Sequence, residues 1–310
     1  MRSSYYLGVS LYRGQIQIAE LDHGKKKTVT ALAERSTSID FNRDTHFSPD
    51  HPQIFTFVYE LEELLKENRV HSKSISFAIP IEPILLNVVP VDPSLHGPEL
   101  TAHAQWEFAQ YYPKASVKDY SVSAIPIAGA KNAAKEVFLV GVRRGLIGFF
   151  KRAASELRLQ THLIDVDHFS VEKTLKFCHP ELTKDAILLL GLRGGAVDAS
   201  LVIQGEFADY RTFPIETLDD LKKSIVAYRQ HLSQKDDAPN PSKIVLYGYG
   251  ATQNAMNQIQ KETGIPTMTL DAIRNLVPSK KLFEAYAKDS SRFAAAVGLA
   301  RFDTNSAMYL

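Results

Sequence analysis

Four polar residues near the middle of the chain have the types and spacing that bind a metal ion or transfer protons. They are His162, Asp165, Asp167 and His168, in the stretch HLIDVDHFS. On a strand, Asp165 and Asp167 point to the same face, which allows both carboxylates to ligate one ion. The alternative is structural, because carboxylates at a strand end also cap the following helix or pair with arginines such as Arg143 and Arg144. The other histidines lack metal-ligand spacing, and we predict no metal site.

A second candidate is the turn GYG at Gly248 to Gly250, which lies between a predicted strand and a predicted helix. Backbone N–H groups of glycine turns and helix N-termini bind phosphates, so a nucleotide could dock at Gly248 and Gly250. A tight strand-to-helix turn explains the same pattern. The sequence contains no P-loop and no G-x-S-x-G motif, and it indicates no catalytic residue.

The composition limits the function classes. The chain has 310 residues, is 45% hydrophobic and 23% charged, and carries a formal net charge of +1. This length and composition are ordinary for a soluble protein of two domains. A net charge this close to zero creates no overall electrostatic potential that would attract nucleic acid. The single cysteine, Cys178, excludes an intrachain disulfide and suits a reducing compartment. No signal peptide and no membrane-spanning stretch is recognisable, so we expect a cytoplasmic protein with no direct membrane insertion.

Apolar periodicity divides the chain into three stretches of predicted elements. The first reads strand, strand, strand, helix, strand, with a hairpin at 5–21, a strand at 28–36, a helix at 54–67 and a strand at 74–79. The second reads β-α-β-β-α-β, with strands at 84–91, 120–125, 137–143 and 161–167 and helices at 99–112 and 146–157. The third starts with another hairpin, with strands at 186–191, 199–203, 207–213 and 243–247 and helices at 218–232, 252–263 and 291–302.

Six stretches carry a family resemblance. They are GVSLYRGQIQIAEL, AIPIEPILLNVVPV, QWEFAQYYP, EVFLVGVRRGLIGFFKRAASELRLQTHLIDVDHFS, KIVLYGYGA and SRFAAAVGLARF. In this order they resemble the PilM family, the actin-like proteins of type IV pilus assembly, and they are also similar to the cell-division protein FtsA. The resemblance implies an α/β, actin-like (ribonuclease-H-like) two-domain fold with an inserted β-α-β-β-α-β (SHS2-like) subdomain. The implied domains are a first half at 1–83, the insert at 84–167 and a second half with a reduced helical subdomain at 168–310.

The chain departs from the family at both phosphate hairpins. The first hairpin of the family has an aspartate, a glycine two residues later and a basic residue in its second strand, where this chain has Ser10, Tyr12 and Gln17. The second also begins with aspartate and glycine, where this chain has Gly191 and Arg193. Such aspartates hold the Mg²⁺ that neutralises the phosphates. The resemblance with these losses implies a pseudo-ATPase without a cofactor.

The family also implies a partner. PilM binds the short N-terminal cytoplasmic tail of PilN, an inner-membrane protein, in a groove beside the insert. By resemblance we expect such a groove between strand one and the insert, around Tyr112 and Phe77. Trp106 and Tyr111 are either core residues or exposed aromatic anchors for the partner. The expected function is a non-catalytic cytoplasmic scaffold of a type IV pilus or related secretion machine, held at the inner membrane by a PilN-like partner.

Two other functions stay open from the sequence. One is an actin-like ATPase or kinase that still binds ATP through Gly248 and Gly250, with Arg13 and Arg193 replacing the lost metal site. The other is a membrane-tethered cell-division actin homologue. That function requires a C-terminal amphipathic helix, and the tail DTNSAMYL at 303–310 is short and polar.

Overall fold

The computed structural model describes residues 4–12, 14–24, 26–41, 46–80, 84–127, 135–193, 195–234, 239–278, 280–286 and 289–300. Arg13, the predicted domain boundary at Pro83 and the tail 303–310 lie outside these residues. The chain divides into two compact units. The first unit comprises the residues up to Ser170 and the segment from Ala295, and the second unit is Val171–Ala294. The three-part division at 83 and 167 stays a prediction.

The first unit is built on a mixed sheet with the strand order β3-β2-β1-β4-β8. The strands are β1 (Tyr5–Tyr12), β2 (Gln15–Asp22), β3 (Thr28–Ser36), β4 (Ser74–Ile79) and β8 (Gln160–Val166). The first three pair antiparallel, whereas β4 pairs parallel with β1 and with β8. Two helices pack on each other and on this sheet, α1 (Ile54–Glu67) and α3 (Arg144–Glu156).

Aromatic side chains fill the space between these two helices and the sheet. The ring of Phe57 on α1 lies 5.5 Å from that of Phe149 on α3, and Phe77 of β4 stacks 4.8 Å from Phe150. All four rings are fully buried. Burying aromatic side chains of this size supplies much of the driving force for folding.

A second, smaller sheet in the first unit has the order β5-β7-β6. Its elements are β5 (Ile84–Val91), α2 (Gly97–Tyr111), β6 (Tyr120–Pro126) and β7 (Lys135–Arg143). Helix α2 rests on this sheet at Gly141, where any Cβ would overlap the ring of Phe108. These four elements correspond to the first four of the predicted β-α-β-β-α-β order. Of the six elements of the predicted β-α-β-β-α-β order, α3 and β8 belong to the first sheet, because β8 pairs with β4 and α3 packs on α1.

The second unit repeats the topology of the first sheet in the order β11-β10-β9-β12-β13. Its strands are β9 (Ala186–Leu192), β10 (Ala196–Ile203), β11 (Glu206–Pro214), β12 (Lys243–Tyr247) and β13 (Thr267–Thr269), and β14 (Val277–Pro278) is a short further strand. Its helices are α5 (Leu218–Ser233), α6 (Gln253–Thr263) and α7 (Lys280–Tyr286), while α4 (Asp167–Cys178) and α8 (Ala294–Ala300) span the two unit boundaries. Strand β9 is buried almost throughout, as its continuous aliphatic sequence predicts. Helix α5 directly follows β11, which agrees with the predicted reduction of the helical subdomain.

Among the described residues, no helix has the length and apolar character needed to cross a bilayer.

Candidate functional site

The two carboxylates of the 162–168 cluster accept hydrogen bonds from backbone amides near the start of α4. Asp165 Oδ1 accepts a hydrogen bond from the Val166 amide at 2.8 Å, and Asp167 Oδ1 accepts from the His168 amide at 2.6 Å. The Ser170 hydroxyl donates to Asp165 Oδ2 at 3.2 Å. No group of three or more metal-ligating side chains occurs within the part of the chain that the structure describes. Each of these two amides belongs to the residue directly after the carboxylate, so the helix-capping alternative stays a prediction.

The first hairpin carries a polar pair at the position where the family resemblance implies a carboxylate. Ser10 on β1 lies opposite Gln17 on β2, and both side chains are buried. The Ser10 hydroxyl donates to Gln17 Oε1 at 3.1 Å, and Gln17 Nε2 donates to Glu34 on β3 at 3.4 Å. This row of side chains satisfies its own hydrogen bonds across three strands. Tyr12, at the end of β1, is half-buried.

The second hairpin is blocked at Gly191 by the side chain of Tyr247. Gly191 on β9 pairs in parallel with Tyr247, the last residue of β12. A Cβ at position 191 would overlap both the hydroxyl and the ring of Tyr247. Tyr247 is itself 6% exposed, so its ring has little room to move aside. The position at which the family resemblance implies an aspartate can therefore hold a side chain only if the buried Tyr247 ring moves.

Arg193, at the turn of the same hairpin, is part of a buried ion pair. Its guanidinium contacts both carboxylate oxygens of Asp198 on β10, with Nη2 donating to Oδ1 at 2.9 Å. The hydroxyl of Tyr210 on β11 donates to the same Oδ1 at 2.7 Å. Burial raises the pKa of Asp198, and the Arg193 charge and the Tyr210 hydrogen bond oppose that rise. Because Arg193 is 3% exposed and bonded within the fold, it is not available to a phosphate.

The third element, GYG, is held by contacts within the second unit. Gly248 has a φ of +90°, and a Cβ there would lie 2.8 Å from the Leu192 carbonyl oxygen. A Cβ on Gly250 would lie 2.7 Å from the Leu192 side chain. The Gly248 and Gly250 amides donate to the carbonyls of Ser291 and Leu192 at 3.3 and 3.2 Å. Both glycines therefore have a structural explanation, and both N–H groups that would bind a phosphate already have acceptors.

The insert presents aromatic side chains to the surface. Trp106 and Tyr111 on α2 are 58% and 46% exposed. Tyr112 is half-buried, its hydroxyl donates to the Leu86 carbonyl at 3.0 Å, and burial raises its pKa. Trp106 and Tyr111 are therefore exposed and not core residues, and their role as anchors for a partner stays a prediction.

A groove of about 540 Å³ opens at the C-terminal end of α2. Its apolar wall includes Leu85, Tyr111 and Tyr112, and Arg143 supplies a cation over the ring of Tyr120 at 5.3 Å. The predicted groove was to lie between strand one and the insert, around Tyr112 and Phe77, whereas the lining residues of this groove all lie between Leu85 and Arg143. The structure corrects the second residue, because Phe77 is fully buried among the aromatic rings under α3 and cannot contact a partner. The correction follows from its place in a strand that is buried on both faces.

Sequence reasoning missed Tyr247, Asp198 and Tyr210. Tyr247 directly precedes GYG, and only the parallel register of β9 and β12 places it beside Gly191. Asp198 and Tyr210 become neighbours of Arg193 through strand pairing. No local pattern marks these three residues, because only the pairing of the strands brings them beside Gly191 and Arg193.

Comparisons with known proteins agree with this architecture. A family model described as type IV pilus assembly protein PilM matches residues 8–189. No curated protein sequence matches the chain. Among solved structures, the PilM-PilN type IV pilus biogenesis complex aligns with a TM-score of 0.78 and 17% identity, covering 95% of this chain and 97% of that chain.

Two further solved structures share the fold at lower similarity. A Bacteroides thetaiotaomicron protein with actin-like ATPase fold and unknown function has a TM-score of 0.54 and 13% identity, covering 88% of this chain and 93% of that chain. The cytoplasmic domain of EpsL, an inner membrane component of the type II secretion system of Vibrio cholerae, has a TM-score of 0.50 and 11% identity, covering 78% and 82%. The predicted actin-like α/β fold is confirmed.

Proposed function

This chain belongs to the family of the type IV pilus assembly protein PilM, and we propose that it acts there as a non-catalytic scaffold that docks the cytoplasmic tail of a PilN-like inner-membrane protein. In this proposal the protein is cytoplasmic and reaches the membrane through that partner. It hydrolyses no ATP and needs no cofactor.

The observation that carries the non-catalytic part is the position of Tyr247 over Gly191. An actin-like ATPase needs a carboxylate near this point to hold Mg²⁺ against the phosphates. Position 191 has no space for one, and position 10 carries a serine bonded to Gln17. The amides of Gly248 and Gly250 are also engaged. These contacts at positions 10, 191, 248 and 250 support the proposal that the protein binds no nucleotide.

The docking part is supported by the insert surface. The groove beside Tyr112 combines an apolar wall with an accessible guanidinium, and the exposed Trp106 and Tyr111 belong to the same helix, α2. Aromatic side chains of this kind are enriched among residues that dominate binding energies. The similar solved structure is a complex with PilN, which supports a partner of that class.

Calorimetric titration of Mg·ATP, and separately of ADP, into the purified chain tests the non-catalytic part. We expect no heat and no thermal shift at millimolar nucleotide. Micromolar binding of either nucleotide would contradict the proposal and would revive the ATPase or kinase alternative.

Titration with a synthetic peptide of the PilN-like tail tests the docking part. We expect saturable binding, and we expect Tyr111→Ser to weaken it about tenfold, the effect of losing about 1.4 kcal/mol. Tyr249→Ser is the matched control, because Tyr249 is also an exposed tyrosine, at 37%, but lies in the second unit. Equal loss in both variants, or no binding by the native chain, would refute docking at this groove.

A further inference from the structure

The charged side chains of the groove at the end of α2 indicate which kind of segment it binds. The charged residues that line the groove are Lys114, Asp119 and Arg143, and all of them are exposed. None of them makes an ion pair with any residue in the part of the chain that the structure describes. Two cations against one carboxylate leave the groove with an excess positive charge, which favours an occupant of the opposite charge.

Arg143 is held in position by the aromatic ring next to it. It is the last residue of β7 and pairs with Tyr120, the first residue of β6. Its guanidinium lies 5.3 Å from the centre of the Tyr120 ring, a distance at which a cation is attracted to the ring face. Tyr120 is itself buried and lies 5.1 Å from the ring of Phe108 on α2. The guanidinium is therefore ordered before a partner binds, which lowers the entropic cost of binding.

The hydrogen-bond donors of Arg143 are unused within the described residues. The N–H groups of a guanidinium lie in the plane of the group, so stacking on a ring leaves them available. A guanidinium binds a carboxylate through two parallel hydrogen bonds, which makes this pair both strong and specific. The hydroxyl of Tyr112, another polar group of the groove, already donates to the Leu86 carbonyl at 3.0 Å. Arg143 is therefore the group best placed to recognise a carboxylate.

The apolar wall of the groove lies close to Arg143 along the insert sheet. Leu85 on β5 pairs with Gly141 on β7. Gly141 and Arg143 are alternate residues of one strand, so they share a face of the sheet and lie about 7 Å apart. An extended segment has the same spacing between its own alternate side chains. The groove therefore fits a segment in which an apolar residue and a carboxylate are two positions apart.

We propose that Arg143 determines the specificity of this groove by binding an Asp or Glu carboxylate of the docked tail. The inference rests on the proposed function, in which the occupant is the cytoplasmic tail of a PilN-like protein. An extended stretch of that tail places an apolar side chain against Leu85 and Tyr112 and its carboxylate on the guanidinium. Lys114 adds positive charge to the same groove. A tail segment with a basic side chain at this position is rejected, because it brings like charges together.

Calorimetric titration with two tail peptides tests the proposal. One is the native peptide, and in the other each Asp and Glu is replaced by Asn or Gln. We expect Arg143→Gln to raise the dissociation constant of the native peptide about tenfold, and the neutral peptide to bind the native chain about tenfold more weakly. The two changes together are expected to cost no more than either alone, because both remove the same contact. Arg144→Gln is the matched control, since Arg144 is also an exposed arginine but does not line the groove.

Charge exchange tests the same contact in the opposite direction. Arg143→Glu brings two carboxylates together and is expected to weaken binding of the native peptide more than Arg143→Gln does. A peptide with Lys in place of the recognised Asp or Glu is expected to bind Arg143→Glu at least about tenfold more tightly than it binds the native chain. Circular dichroism confirms that each variant is folded. A Lys peptide that prefers the native chain would overturn the assignment of Arg143.

The inference and the proposed function fail in different ways. If Tyr111→Ser weakens binding of the native peptide but Arg143→Gln does not, docking at the groove stands and the role of Arg143 is overturned. The same conclusion follows if Arg143→Gln and Arg144→Gln weaken binding equally, or if the neutral peptide binds as tightly as the native one. No binding of the native peptide by the native chain would overturn both.

Discussion

At the scale of single residues, the second hairpin shows how a side chain from a neighbouring strand can fill the space beside a glycine. The Tyr247 ring fills the space beside Gly191, and Arg193 at the turn pairs with Asp198. A buried guanidinium and carboxylate balance each other's charge within the hairpin.

Gly191→Ala is expected to destabilise the protein by about 1–3 kcal/mol, because the added methyl overlaps the buried Tyr247 ring. Chemical denaturation measures the change. Gly24→Ala is the control, since a Cβ there would lie 3.5 Å from Asp22, an ordinary contact. Equal stability of the two variants would show that Tyr247 does not exclude a side chain.

Glu20 is a buried carboxylate that binds the backbone of the segment preceding β4. It is fully buried, its Oε1 accepts from the amides of His71 and Ser72 at 2.7 Å each, and its Oε2 accepts from the Thr30 hydroxyl at 2.7 Å. Glu20→Ala is expected to cost about 3 kcal/mol of unfolding free energy, because buried donors lose their acceptor. Glu20→Gln retains one carbonyl acceptor and is expected to cost less. Denaturant titration of both variants checks this order, and the reverse order would contradict it.

Glu172 makes stability depend on pH. Burial raises its pKa to about 7, against the opposing effect of Lys176, which lies 2.7 Å away. Since the folded-state pKa is above the unfolded value of 4.5, this group stabilises the fold at low pH, and that contribution is lost as pH rises from about 4.5 to 7. Relative to the native chain, Glu172→Gln should gain about 3 kcal/mol between pH 4 and pH 8. Unfolding curves at both pH values measure this, and a constant difference would contradict it.

At the scale of elements, most helices and strands could be predicted because their apolar spacing is regular. The predicted helix at 54–67 is confirmed as α1, with Ile54, Phe57, Leu61 and Leu64 on its buried face. The spacing of apolar residues does not show which strands pair with each other. A strand at 161–167 can close the insert or extend the first sheet with the same local sequence, and only the parallel register with β4 decides between them.

The site was less predictable than the fold for a related reason. Phe77 lies in the predicted strand at 74–79, and its place in the expected groove was implied by the family resemblance. Its burial follows from strand pairing and from the aromatic rings of α1 and α3, which the local sequence does not show. Trp106 and Tyr111 lie on a helix with only Ala104 and Phe108 buried, so periodicity left their exposure undecided.

The contact between α8 and β1 depends on the absence of a side chain at Gly8. A Cβ there would overlap the Ala296 carbonyl and lie 2.9 Å from the Ala300 amide nitrogen. The His23 ring also contacts the Ala300 carbonyl, at 2.9 Å. Gly8→Ala is expected to displace α8, with faster hydrogen exchange in residues 295–300 than in α1. Unchanged exchange in both segments would refute the close approach.

At the scale of the whole molecule, the proposed scaffold should respond to its partner and not to nucleotide. A ligand that binds only the native state at a hundred times its dissociation constant adds about 2.7 kcal/mol of stability. We therefore expect the PilN-like tail peptide to raise the unfolding temperature. We expect Mg·ATP at about 5 mM to leave it unchanged, although this concentration is about a hundred times the dissociation constant of a ligand that binds with ~50 μM affinity. Differential scanning calorimetry measures both unfolding temperatures. A rise with nucleotide but not with the peptide would contradict the proposed scaffold function.

The ring of Tyr247 over Gly191 also couples two positions of the chain. A carboxylate introduced at position 191 alone collides with the ring, and a small residue introduced at position 247 alone leaves a cavity beside a buried strand. A well-packed variant with a side chain at position 191 therefore needs both changes together, and the effects of the two substitutions on stability are expected to be strongly non-additive.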